Sequence, residues 1–183
     1  MTRSKAAFYD KCRIVGTSFE GYKRGVSSSG RALRDDFLQD HRQLIKGLSE
    51  ILKSLRGNDV PRAMALADGL DRAIGAHIEL EEQEFYPLLK ERLGSEFVTQ
   101  LYEEHAAGKE AIATLLAHRG RENELKARAD LTENLERMLE HALSCGSLLS
   151  HLDREDEERI AALHDRLRVL RAENKRWTEC GKK

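Results

Sequence analysis

At 183 residues and 20.8 kDa, the chain has the size of one domain with extensions rather than two domains. Its 34% charged and 40% hydrophobic residues argue against both a membrane protein and a disordered chain. The 31 Lys and Arg nearly balance 32 Asp and Glu, so broad binding to nucleic acid is not expected.

No run approaches the about 18 apolar residues that a membrane helix needs. The opening MTRSKAAFYDKCRIVG is basic but lacks the apolar centre of a secretion signal. Cys12, Cys145 and Cys180 are far apart with no CxxC pair, which suits a reducing compartment and argues against a disulfide framework. A soluble cytoplasmic protein with no membrane partner is expected.

Residues 1–30 carry six basic and two acidic side chains, and Gly16, Gly21, Gly25 and Ser27–Gly30 break any pattern. They read as an N-terminal arm. The first helix spans about Arg31–Arg56, with Phe37, Leu44, Leu48, Leu52 and Leu55 on one face. Gly57-Asn58-Asp59 ends it, and Pro61 suits the first turn of a second helix reaching about Leu93. Gly94-Ser95 separates this from a third helix over about 96–118, whose stripe is Phe97, Leu101, Ile112 and Leu115. A long fourth helix follows, starting at Asn123 or Asp130 and continuing to about Arg171. Residues 164–183 form a basic, partly helical tail. No strand pattern or repeat is present, so the expected fold is all-α: an up-down-up-down four-helix bundle over 31–163.

Four histidines fall one per predicted helix: His41, His77, His105 and His151. The first three sit within the apolar stripes. Two are followed one turn later by a carboxylate, in His77-Ile-Glu-Leu-Glu81 and His151-Leu-Asp-Arg-Glu155. Residues four apart share a helical face, so both glutamates should turn inward with their histidines. A lone buried carboxylate neutralises, pairs or binds a metal. Imidazole with carboxylate suits iron, manganese or zinc, and bundle cores are where carboxylate-bridged two-metal sites are built. The candidate metal ligands are therefore His41, His77, Glu81, His105, His151 and Glu155. His118 reads as exposed, and His141 and His164 as surface or supporting groups. Glu82 and Glu84 read as a solvated rim, and Cys145 as a small core residue.

This ordered set resembles the hemerythrin-like, or HHE cation-binding, superfamily. Asp40-His41-Arg42, His77-Ile-Glu-Leu-Glu81-Glu82 followed by Phe85-Tyr86-Pro87, and Glu104-His105 agree with its wording. The resemblance covers about residues 31–163. It implies two non-haem iron ions with an oxo or hydroxo bridge, spanned by Glu81 and Glu155. Asp156 stands one position further on and competes with Glu155 for that role. Oxygen carriers of the family have a second histidine four residues after the third-helix histidine; here Lys109 stands there, which implies an open position on one iron. The pattern is closer to repair-of-iron-centres and bacterial hemerythrin-like proteins. The implied function is binding of, or reaction with, O2, NO or peroxide in sensing, detoxification or stress response. Iron storage or donation for iron-centre repair is an alternative within the fold, and a metal-free helical interaction module is another outside it. A homodimer is compatible with all three.

Overall fold

The computed structural model describes residues 28–121 and 129–181. Most of the expected arm, residues 1–27, and the candidate cap Asn123 lie outside them. The described residues are helical almost throughout. In chain order they form α1 (Ser28–Arg56), α2 (Val60–Leu80), a π-helical turn (Glu81–Phe85) running into α3 (Tyr86–Leu93), α4 (Ser95–Ala117) and α5 (Ala129–Cys145). A 3-10 stretch (Gly146–Arg154), α6 (Glu157–Glu173) and a short 3-10 turn (Trp177–Glu179) complete them. None of these helices is long and apolar enough to cross a membrane.

The helix ends follow local chemistry. Asn58 takes a left-handed φ of 57° to leave α1, and Asp59 caps α2 by accepting from the Arg62 amide at 3.2 Å. Gly94, at φ 88°, makes the turn into α4 that a side chain would strain. Short connections force antiparallel neighbours. α1 packs on α2 and α5, and α4 packs on α2 and α5, closing a ring of four.

Two apolar clusters fill this bundle. One holds Leu44, Leu48, Ile74, Ile112 and Met138; the other holds Phe37, Leu80, Phe85, Leu101 and Leu148. Between them, at the same level on all four helices, lies a polar layer containing His41, His77, His105 and His141, each buried. Burying several imidazoles between apolar slabs is costly unless their nitrogens are satisfied.

The fourth helix ends far earlier than its sequence suggests. α5 stops at Cys145, and the chain tightens into 3-10 geometry through Arg154. The cause is local composition. Ser144, Ser147 and Ser150 each donate a hydroxyl to the carbonyl three residues back, and Gly146 weakens the helix further. Glu155 is then extended, and Asp156 caps α6 by accepting from the Arg159 amide at 2.7 Å. α6 folds back outside the ring onto α1 and α2.

Candidate metal centre

The centre is built on Glu81, which is 1% exposed. Around its carboxylate the ring nitrogens converge. His77 Nε2 lies 3.4 Å and His105 Nε2 3.3 Å from Glu81 Oε2, and His41 Nε2 lies 4.0 Å from Oε1. His141 Nε2 lies 3.1 Å from His105 Nε2. Two donor groups result, His41–His77–Glu81 and Glu81–His105–His141, sharing one carboxylate.

The opposite nitrogen of every ring faces an acceptor of the protein. His41 Nδ1 donates to the Phe37 carbonyl at 3.2 Å, and His141 Nδ1 to Glu104 Oε2 at 2.9 Å. His105 Nδ1 donates to Glu82 Oε1 at 3.1 Å, and His77 Nδ1 faces Asp40 Oδ2 at 3.6 Å. Such partners fix the ring and turn Nε2 inward, the orientation of metal-bound histidine. Arg171 of α6 grips Asp40 at 3.0 Å, so a helix outside the bundle holds the acceptor behind His77.

The π turn explains two further groups. The Tyr86 amide bonds to the Glu81 carbonyl, an i to i+5 contact that stacks residues five apart on one face. Tyr86 therefore points beside Glu81, its hydroxyl 2.8 Å from His105 Nε2 and 3.3 Å from His141 Nε2. Glu82, expected on a solvated rim, reaches His105 instead. Cys145, one turn after His141, donates its thiol to Glu81 Oε1 at 3.2 Å.

Electrostatics separate the rings. Burial lowers His41 to about 4, helped by the neighbouring His77. Burial also lowers His141, outweighing its bond to Glu104. His105 goes the other way: despite burial, Glu81 and Glu82 raise it to about 9. Burial opposes ionisation of Glu81, yet His77, His105 and His41 hold its carboxyl well below the usual range. Burial and the Glu81 charge raise Tyr86 well above an ordinary phenol, so it keeps its proton.

The structure brings together four of the six residues read as ligands: His41, His77, Glu81 and His105. It does not bring His151 and Glu155 to them. His151 lies on the 3-10 stretch with its carbonyl bonded to Arg92, and Glu155 is ion-paired to the same arginine. Asp156 is a helix cap. The fourth imidazole of the layer is His141, for which a supporting place was expected. Lys109 does not face the centre; its Nζ donates to the Cys180 carbonyl. His141 was legible in principle, since Leu135, Met138, Ala142 and Cys145 set it on a buried stripe. Tyr86 was not, because a regular helix would turn it away.

These residues fit a metal ion. Both nitrogens of His77 are buried without a hydrogen-bond partner, a burden of about 1–3 kcal/mol that an ion at Nε2 relieves. His105 and His141 turn their Nε2 atoms toward each other at 3.1 Å. Adjacent ligands at about 2.1 Å on one ion sit about 3 Å apart. No curated protein and no solved structure matches the chain. Residues 32–163, which include every residue of this centre, match the hemerythrin HHE cation-binding domain. The chain belongs to that family.

Proposed function

We propose that this protein holds a pair of iron ions on His41, His77, Glu81, His105 and His141, and that it handles a small diatomic or peroxide ligand. O2, NO and hydrogen peroxide are the candidates, in sensing, detoxification or stress response. The observation that carries this is the convergence of four Nε2 atoms on one carboxylate, with His77 unsatisfied in any other reading. Imidazole and carboxylate are donors that iron accepts. Bound iron would supply a change of oxidation state and an open coordination position.

The chain's own residues set the rest. Glu81 places its negative charge between the two histidine pairs and offsets part of the cationic charge. Tyr86 keeps a proton on its hydroxyl between His105 and His141, where it can donate to whatever binds there. His41, His77, Glu81, His105 and His141 are all 4% exposed or less, which excludes bulky substrates but not a molecule of two to four atoms.

A metal-free reading draws on one observation, that Tyr86 already bonds both His105 and His141. It leaves His77 unsatisfied. Elemental analysis of the full chain from iron-replete cells separates the two. About two irons per chain are expected. Chelation should lower the thermal midpoint by about 5–10 °C if the metal had been held at 100 times its Kd. A chain that binds no metal, with an unchanged midpoint, overturns the proposal.

A further inference from the structure

We propose that Cys145 is a ligand of this centre, giving it a thiolate as the second anionic donor beside Glu81 and a preference for iron, cobalt or zinc over magnesium or manganese. The inference rests on the metal-binding reading above.

The bundle presents two histidines followed one turn later by an inward group: His77-x3-Glu81 on α2 and His141-x3-Cys145 on α5. Residues four apart share a face, so Cys145 stands to His141 as Glu81 stands to His77. The sulfur is buried, and it lies 3.2 Å from Glu81 Oε1. An oxygen at about 2.1 Å and a sulfur at about 2.3 Å, bound at right angles on one ion, are about 3.1 Å apart.

Charge supplies the second argument. Glu81 is the one carboxylate in the two donor groups among the described residues. Asp40, Glu82 and Glu104 face the far sides of the rings. Two divalent ions against a single carboxylate would leave a large uncompensated charge between apolar slabs. A thiolate at Cys145 lowers that excess by one charge, as a second carboxylate would. Without an ion the thiol gives its hydrogen to Glu81. When an ion binds, that proton leaves to solvent and the sulfur lone pair takes the ion. The unsatisfied His77 nitrogens independently mark this chamber as a place for a ligand. Thiolate donors favour softer ions, which sets the selectivity.

The test is titration of the metal-stripped full chain with cobalt(II) under anaerobic conditions, with bound cobalt measured alongside the near-ultraviolet spectrum. Wild type and Cys180→Ser should show a sulfur-to-cobalt charge-transfer band that grows with bound metal. Cys145→Ser should bind cobalt about 10- to 100-fold more weakly and lack the band. Cobalt bound to wild type without the band overturns the inference while leaving the metal centre intact. So does a band that persists in Cys145→Ser, which would place the sulfur elsewhere. No bound cobalt at all overturns the metal reading itself. If Cys145→Ser does not fold, the double variant Cys12→Ser, Cys180→Ser decides: a retained band supports Cys145, and a lost band overturns the inference.

Discussion

His105 carries the proton that an incoming ion must displace. Glu81 and Glu82 raise it to about 9 against its burial, whereas His41 at about 4 is already neutral at pH 7. In the metal-free chain, the charged His105 stabilises the fold fully below the unfolded value of about 6.5, and that contribution fades as pH rises through about 9. Metal binding runs oppositely, because only the neutral ring is a ligand. Apparent affinity should rise by up to about tenfold per pH unit from 7 to 9 and then flatten, as read by competition with a chromophoric chelator. An affinity independent of pH would place His105 outside the ligand set. A sharper comparison lies between His141 and His151. His141→Ala should cost metal occupancy, while His151→Ala should leave it intact. The sequence favoured His151 because a carboxylate follows it by one turn; His141 is followed by a thiol, which the same rule passes over. His41, His77, Glu81 and His105 were legible because their helices keep regular period around them.

Element by element, the misreadings trace to departures from α geometry. The 3-10 stretch after Cys145 carries His151 and Glu155 away from the centre, a consequence of three serines and a glycine whose effect competes with a continuing apolar stripe. The π turn places Tyr86 and Glu82 on the centre, and no single-residue signal in Glu81-Glu82-Gln83-Glu84-Phe85 marks it. α6 adds an outer connection. Arg171 reaches Asp40 and Asp36, both at 3.0 Å, and Asp40 stands behind His77. Asp40 is drawn below the usual carboxylate range; burial opposes this, and His77 and Arg171 outweigh it. Asp40→Ala should therefore weaken metal binding by about 10- to 100-fold. Arg171→Ala acts one step further out on a partly exposed side chain, and should cost less, about two- to fivefold. Equal losses in the two variants would mean that Asp40 supports His77 only while Arg171 holds it, and a gain in Arg171→Ala would mean that Arg171 acts through its charge, which repels a bound cation.

Across the whole molecule, the C-terminal turn is part of the bundle rather than a solvated basic tail. Trp177, the single tryptophan, is fully buried between α2 and α4. Buried Asp71 accepts from the Thr178 amide at 2.8 Å and from Arg176 at 3.2 Å, and Lys175 pairs with Glu79 at 2.9 Å. The close approach depends on two glycines. A Cβ at Gly75 would stand 2.1 Å from the Lys175 carbonyl oxygen, and one at Gly108 would stand 2.6 Å from the Trp177 ring. At Gly75 the obstacle is backbone, which cannot rotate aside. Composition and charge suggested a tail because Lys175, Arg176 and the last lysines dominate this segment, while one Trp and two helical glycines carry the docking signal. The same segment reaches the centre's edge, since Lys109 bonds the Cys180 carbonyl and Gly181 lies beside Glu82, the acceptor of His105. Gly75→Ala should release the turn or displace it, at a cost of about 1–3 kcal/mol. The lone Trp177 reports this directly: its fluorescence should shift to the red and become quenchable by iodide, while helical circular dichroism is largely kept. Unchanged emission and quenching would mean that α2 yields instead. Gly69→Ala, where a Cβ meets nothing within 4 Å, is the control expected to leave both signals unmoved.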